Sequence, residues 1–126
     1  MQVVIHFLQG NSIDIQTHYL TKDYRDDVVI EIDNLFYEVY FFTRSSLTYE
    51  MTGDGFFALP GMIILEEISH ENILASINYL VKIKYFEFLK GEHELDLHKR
   101  ALSNWYLNGP FIFDKELLYS LKIFIN

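Results

Sequence analysis

The stretch H-E-L-D-L-H, residues 93–98, comes closest to a metal-binding motif in this chain. In zinc-binding helices, two histidines four residues apart share one face and bind the same ion. Here position 97 is Leu, and His98 lies five residues after His93, so the second imidazole is rotated by about 100° from that face. We therefore predict a solvated helix start at these residues and no metal site.

Carboxylates are the other groups that could do chemistry, and several are adjacent, as in Asp26-Asp27 and Glu66-Glu67. General acid–base catalysis requires such groups in a shielded cleft with shifted pKa values. The chain has no Cys, no G-x-S-x-G nucleophile motif and no glycine-rich phosphate loop. We therefore expect a protein with neither catalytic activity nor a cofactor. The alternative is a small enzyme or ligand-binding domain with a pocket between sheet and helices.

The composition is typical of one globular domain spanning residues 1–126, since half of the chain is hydrophobic and 22% is charged. The absence of Cys favours a reducing compartment. The N-terminus lacks the basic region of a signal peptide. The longest uninterrupted apolar run, residues 56–65, is far shorter than the roughly 20 residues that cross a bilayer. We expect a cytoplasmic protein with no membrane partner.

The net charge of -8 is concentrated in the first two thirds of the chain. Residues 1–80 carry twelve acidic and three basic side chains, whereas residues 81–126 carry six acidic and seven basic ones. A field of this sign repels nucleic acid and accelerates encounter with a basic partner. The charge therefore predicts a protein partner and no nucleic acid, although acidity that serves only solubility is an alternative.

The clearest local pattern is a β-hairpin over residues 28–42. Two runs of β-branched and aromatic residues are joined by Asp33-Asn34, a pair that tolerates the positive φ of a type I′ turn. The turn fixes the register of the two strands. The predicted opposite pairs on the apolar face are Ile32 with Leu35, Ile30 with Tyr37, and Val28 with Val39.

The opposite face of the hairpin mixes acidic and aromatic side chains. Because side chains alternate along a strand, Glu31, Phe36, Glu38 and Tyr40 share this face. One interpretation is that a helix covers the rings and the glutamates lie at the sheet margin. The other is a partner-binding surface, since interfaces combine aromatic anchors with a polar rim.

Four further strands are predicted from runs of β-branched and aromatic residues, over residues 3–9, 13–17, 47–51 and 62–65. Gly10 and the turn at residues 53–55 mark chain reversals between them. The polar segment 18–27 is predicted to be an exposed loop that offers Asp23, Asp26 and Asp27 to a partner.

Two helices are predicted in the second half of the chain. Ser69 is a suitable N-cap, Glu71 complements the helix dipole, and apolar residues recur at helical spacing over residues 70–83. A last helix is predicted over residues 114–125. The resulting fold class is α+β, an antiparallel sheet with a central hairpin, packed by two or three α-helices on one face.

Residues 28–88 resemble small immunity proteins of bacterial contact-dependent growth inhibition and related polymorphic-toxin systems. The resemblance is carried by V-V-I-E-I-D-N-L-F-Y-E-V-Y-F, by A-L-P-G-M-I-I-L-E-E-I-S, and by the helix N-I-L-A-S-I-N-Y-L with the K-Y-F that follows. It implies an acidic, cytosolic, non-catalytic protein that binds and neutralises a cognate toxin domain, commonly a basic nuclease.

Each immunity protein builds its own interface, so no residue set is carried over from this resemblance. The candidate partner-binding residues come instead from the charge distribution and the hairpin register. They are the acidic and aromatic side chains Asp23, Asp26, Asp27, Glu31, Phe36, Glu38, Tyr40, Tyr49, Glu50 and Asp54.

Overall fold

The structure, a computed structural model, describes residues 1–51, 53, 55–99 and 118–125. In chain order its elements are β1 (Gln2–Phe7), α1 (Ile13–Lys22), β2 (Tyr24–Ile32), β3 (Leu35–Phe42), α2 (Arg44–Glu50), β4 (Met62–Ile64), α3 (His70–Lys82), a 3₁₀ helix (Tyr85–Phe88), β5 (Glu92–His93), α4 (Glu94–Lys99) and β6 (Tyr119–Phe124). Helices and strands share one core, which confirms the predicted α+β class. None of the described helices is both long and apolar enough to cross a membrane.

The strands of the described residues form one sheet in the order β4-β3-β2-β1-β6, and β5 pairs with the start of β3. Every pairing is antiparallel except that of β3 with β4. The chain reaches β4 through α2 and a loop, and such a long connection allows β4 to run in the same direction as β3. The predicted antiparallel sheet is therefore a mixed sheet.

The predicted hairpin is confirmed residue by residue. Asp33 and Asn34 have φ angles of 50° and 65°, as both central residues of a type I′ turn require. The observed partners are the predicted ones: Val28 with Val39, Ile30 with Tyr37, and Ile32 with Leu35. The turn chemistry thus fixes which face of β2 and β3 is apolar and buried.

The main core lies between this face and two helices, α1 and α3. The strands contribute fully or almost fully buried side chains, namely Val3, Ile5, Phe7, Val28, Ile30, Val39 and Phe41. Tyr19 of α1 and Ile73 and Ile77 of α3 pack against them. The α3 helix begins as predicted, with the Ser69 hydroxyl accepting a hydrogen bond from the Asn72 N–H at 3.1 Å.

A smaller cluster lies on the other face of the sheet. Val29 and Phe36 point to this face and pack with Leu97 of α4, and all three are buried. Leu97 covers two apolar side chains that alternation places away from the main core. The prediction that the helices pack on one face only is therefore wrong.

Two segments predicted to be strands are helices. Residues 13–17 begin α1, whose N-cap Ser12 accepts a hydrogen bond from the Ile15 N–H at 3.2 Å. Residues 47–51 fall in and just after α2, which starts with reciprocal hydrogen bonds between Thr43 and Ser46. In both cases the cap satisfies free N–H groups of the first turn and stabilises the helix over the strand.

The prediction of a last helix over residues 114–125 is also wrong for the part of that range that the structure describes. Residues 119–124 form β6, which pairs antiparallel with β1 along its whole length. Residues 114–117 lie outside the described part of the chain. The pairing partner is more than a hundred residues away, so a local pattern of apolar side chains did not reveal it.

Candidate functional site

Asp26 and Asp27 are buried, in a part of β2 where the register with β3 shifts between Arg25 and Val28. Arg25 is 2% exposed and Asp27 is 0% exposed. Two hydrogen bonds join them, from Arg25 Nε to Asp27 Oδ1 at 2.8 Å and from Arg25 Nη2 to Asp27 Oδ2 at 3.3 Å. Asp26 accepts a hydrogen bond from the Tyr19 hydroxyl at 3.3 Å. The prediction that residues 18–27 form an exposed acidic loop is wrong.

The Arg25–Asp27 ion pair is held by neighbours from three other segments. The guanidinium of Arg25 lies over the rings of Phe7 and Tyr19, 4.5 and 4.8 Å from their centres. It also donates to the carbonyl of Gly10 at 3.1 Å, and the Gln9 N–H donates to Asp27 at 3.0 Å. A buried ion pair is tolerated when hydrogen bonds satisfy its polar atoms. Asp26 and Asp27 are therefore structural residues.

His70, the first residue of α3, lies beside this ion pair. Its Nε2 is 3.4 Å from Arg25 Nη1, and its ring stacks on Phe7 with 4.9 Å between centres. Burial lowers the pKa of His70 below its ordinary value of 6.5, and the positive charge of Arg25 lowers it further, against a smaller opposing effect of Asp27. The folded protein therefore favours neutral His70.

We expect the stability of the protein to fall as the pH drops below 6.5. Because the pKa of His70 is lower in the folded state, the unfolded state binds more protons between the two pKa values. The unfolding free energy should decline through that window and level off below the folded pKa. Denaturant titrations from about pH 7.5 to about pH 5 test this expectation. His70→Gln, which still offers Arg25 an acceptor, should reduce the slope, and His18, whose pKa is also lowered by burial, should supply the remainder; the full wild-type slope in that variant would contradict the assignment.

Glu31 and Phe36 are engaged within the sheet. His6 of β1 contacts Glu31 Oε1 through Nε2 at 2.8 Å and Ser120 Oγ through Nδ1 at 2.7 Å. The His6 ring stacks near Phe36 at 6.1 Å between centres, and both residues are buried. A serine, a histidine and a carboxylate in contact are also the parts of a hydrolase triad. Because the imidazole is buried, we interpret these contacts as a structural network that joins β6, β1 and β2.

Phe36 was predicted to be a partner-binding anchor, and its burial leaves it unavailable for that role. Glu38 and Tyr40 remain half-buried on the same face of β3. They line a cleft of about 200 Å³ together with Pro60 and Gly61, next to β4. Of the four residues predicted to form one hairpin surface, Glu31 and Phe36 are therefore engaged within the protein, whereas Glu38 and Tyr40 line a cleft at its surface.

Asp23 lies between α1 and β2, and Tyr49 and Glu50 lie in the last turn of α2. Asp23 ends α1 in the left-handed conformation, and its carbonyl accepts a hydrogen bond from the Thr43 N–H at 3.1 Å, directly before α2. An open cavity of about 660 Å³ lies here, which we call the aromatic cleft. Its lining residues are Lys22, Tyr24, Tyr49, Glu50 and Phe57.

The floor of the aromatic cleft is anchored in the core by a series of rings. Tyr24 contacts the buried ring of Phe42 at 6.4 Å between centres, and Phe42 makes an edge contact with Phe57 at 5.3 Å. Among the lining residues Tyr49 is 80% exposed. The cleft thus combines a base of packed rings with one exposed ring.

The lining of the aromatic cleft holds one charged side chain of each sign, Glu50 and Lys22. Burial raises the pKa of the Tyr24 hydroxyl, and the negative charges of Asp26 and Glu50 raise it further. Two carboxylates therefore act on the same hydroxyl at the cleft. Lys22, at the end of α1, is the basic side chain among the lining residues.

The sequence-based prediction missed two lining residues of the aromatic cleft, Tyr24 and Phe57. The adjacent pair Phe56-Phe57 was a usable signal, because two neighbouring rings next to a glycine turn are not both easily buried. Tyr24 gave no signal of its own, because it was placed in a loop. Asp54, the remaining predicted site residue, lies outside the described residues.

Comparisons with protein-family models, with curated proteins and with solved structures find no match to this chain. Function must therefore be inferred from the surfaces of the described residues. Among these residues no group of three or more histidine, aspartate or glutamate side chains is arranged to hold a metal ion. Two predicted site residues, Tyr49 and Glu50, line the aromatic cleft, and Tyr49 is the most exposed of the predicted site residues in the described part of the chain.

Proposed function

We propose that this chain is a non-catalytic, cytoplasmic protein that binds and neutralises a basic bacterial toxin domain through the aromatic cleft. The observation that carries the proposal is Tyr49, a large ring that is 80% exposed beside Glu50 and above a floor of packed rings. Exposed rings of this kind become buried anchors when a partner docks. The resemblance of residues 28–88 to immunity proteins points to the same function.

The charge of the protein supports a basic partner. The net charge is -8, and twelve of the eighteen acidic side chains belong to residues 1–80. Glu50, the acidic side chain that lines the cleft, belongs to that part of the chain. Complementary charge mainly raises the association rate and selects the partner, whereas the desolvated rings supply the affinity.

The test begins with capture of the partner from the native host on the immobilised protein, followed by titration of the purified partner against variants. We expect Tyr49→Ala to weaken binding by about fivefold or more, since a buried interface ring contributes upwards of about 1 kcal/mol. Tyr79→Ala is the matched control, because Tyr79 is also an exposed tyrosine, 62% exposed on α3. Equal effects of the two substitutions would place the interface elsewhere.

Binding measurements with the same partner at several salt concentrations separate the effect of charge on the association rate from the contribution of the Tyr49 ring to affinity. Between about 50 and about 500 mM salt the association rate should fall steeply, because the Debye length shrinks from about 14 Å to about 4 Å. Glu50→Gln should lower the association rate at low salt and leave the stability of the free protein unchanged. An association rate that does not vary with salt would refute the role of charge while leaving the ring contact to be judged by Tyr49→Ala.

A further inference from the structure

A second cavity lies on the main-core side of the protein, at the end of the hairpin. It has a volume of about 610 Å³, and we call it the hairpin groove. Apolar side chains from four segments form most of its walls, namely Ile32, Leu35, Tyr37, Val81, Phe86 and Ile125. Small-molecule sites are concave, mostly apolar and about 300–1,000 Å³ in volume, so the hairpin groove has the size and lining of a ligand site.

Two aromatic side chains give the hairpin groove a wall that suits a third ring. Tyr37 of β3 and Phe86 of the 3₁₀ helix are tilted against each other, with 5.3 Å between their ring centres. Phe86 is buried and Tyr37 is half-buried, so the core holds the pair in place while both rings border the cavity. Aromatic rings prefer tilted or offset contacts at such distances, and an aromatic ligand would extend the pair in this way.

The rim of the hairpin groove carries side chains of both charges. Lys82 at the end of α3 and Lys84 in the turn that follows are positive, whereas Asp33 of the hairpin turn and Glu87 of the 3₁₀ helix are negative, and all four are exposed. In the described part of the chain, no ion pair joins any of these four side chains to another residue. Both signs of charge are therefore available to a ligand.

The positive and negative charges are close in the chain after α3. Lys84 has a φ of 64°, and its carbonyl accepts a hydrogen bond from the Glu87 N–H at 3.1 Å, so one tight turn carries a cationic and an anionic side chain. The amine of Met1 also borders the groove, where it donates a hydrogen bond to the Ile125 carbonyl at 2.9 Å. A ligand with one charge meets attraction and repulsion at this rim, whereas a ligand with both charges finds a partner for each.

We propose that the hairpin groove binds a zwitterionic α-amino acid with an aromatic side chain. The aromatic ring lies in the apolar groove against Tyr37 and Phe86. The carboxylate pairs with the lysines of the rim and the ammonium group with Asp33 and Glu87. In an α-amino acid both charged groups are attached to one carbon atom, which matches a rim where opposite charges share one turn. This site is separate from the aromatic cleft and does not depend on the proposed function.

Three ligands with the same phenyl body test the proposal: L-phenylalanine, hydrocinnamate, which lacks the ammonium group, and phenethylamine, which lacks the carboxylate. Each is titrated into the full chain near neutral pH and followed by NMR. We expect L-phenylalanine to bind about three- to fivefold more tightly than either analogue, because each analogue loses one set of ion pairs at the rim. The shifted signals should include those of Tyr37 and Phe86. An analogue that binds as tightly as L-phenylalanine, or no binding of L-phenylalanine, would overturn the proposal.

Two double variants assign each charged group of the ligand to named residues. Asp33→Asn/Glu87→Gln should weaken the binding of L-phenylalanine and phenethylamine about three- to fivefold and should not weaken that of hydrocinnamate. Lys82→Gln/Lys84→Asn should weaken the binding of L-phenylalanine and hydrocinnamate and should not weaken that of phenethylamine. Asn suits positions 33 and 84 because it tolerates the left-handed conformation found there. The same effect on all three ligands in both double variants would refute the assignment.

Lys22→Gln/Glu50→Gln is the matched control, because it removes one charge of each sign from the aromatic cleft. It should bind L-phenylalanine as tightly as the wild type does, and a loss as large as in the two groove variants would count against the site. Asp33→Asn/Glu87→Gln should in turn bind the protein partner as tightly as the wild type, since neither residue lines the aromatic cleft. Failure of one proposal therefore leaves the other intact.

Discussion

Asp27→Asn should lower the unfolding free energy by about 3–5 kcal/mol, although it replaces one side chain by another of nearly the same shape. The substitution removes the negative charge that neutralises Arg25, and both residues are almost completely buried. The guanidinium of Arg25 would still contact the rings of Phe7 and Tyr19, but it would no longer have a negatively charged partner in Asp27. An uncompensated buried charge is far less stable than the intact pair. Urea titration measures the change directly.

A double substitution separates the ion pair from its surroundings. In Arg25→Met/Asp27→Leu both charges of the ion pair are removed together, so most of the loss caused by Asp27→Asn should be recovered. The remaining deficit reports the lost hydrogen bonds to Gln9 and Gly10. A loss below about 1 kcal/mol in Asp27→Asn would mean that water reaches Arg25, in contradiction to its burial.

Ile30→Ala should cost about 2–5 kcal/mol, because it removes buried methyl groups and leaves a cavity in the main core. Ile30 is 0% exposed. It lies opposite Tyr37 of β3 and opposite Ile5 of β1. Such a loss is a large share of a typical stability of about 5–15 kcal/mol. Thermal and denaturant unfolding should both show it.

Ile13→Ala is the matched control for Ile30→Ala. Ile13 is 75% exposed at the start of α1, and alanine is the better helix former, so the change should stay within about 0.5 kcal/mol. On the other face of the hairpin, Glu38→Ala should be milder than Ile30→Ala, since Glu38 is half-buried. Equal destabilisation by Ile30→Ala and Ile13→Ala would contradict the register of the hairpin.

The elements that were predictable from the sequence are those specified by neighbouring residues. The Asp33-Asn34 turn dictates a two-residue hairpin, and side-chain alternation then assigns each face of β2 and β3. The α3 helix carries its own start signal in Ser69 and its own apolar stripe. Neither feature requires knowledge of the rest of the fold.

The elements that were not predictable depend on distant partners. Arg25, Asp26 and Asp27 are three charged residues in a row, a pattern that favours an exposed loop. Their burial depends on Phe7 and Tyr19, which the sequence does not place nearby. The prediction of two acidic contact residues failed for this reason.

Burial determines which of the predicted site residues remain available to a partner. Tyr49 and Glu50 were assigned to a strand, yet they remain at the surface on α2. Phe36 was assigned correctly to its strand face, but Leu97 of α4 covers it. The alternation of side chains along a strand predicts which face of the sheet each one occupies. Whether another element packs on that face depends on the fold of the whole chain.

The pairing of β1 with β6 has a consequence for folding and synthesis. β1 is a central strand of the sheet, between β2 and β6, and the hydrogen bond from the Met1 amine to the Ile125 carbonyl spans 124 residues. On the ribosome β1 can pair with β2 early, but its other edge stays open until β6 has been made. An unpaired strand edge can pair with strands of other chains. Pairing β1 with β6 also has a high entropic cost, because it closes a loop of more than a hundred residues. β6 therefore ends the interval in which the nascent sheet is most prone to aggregate.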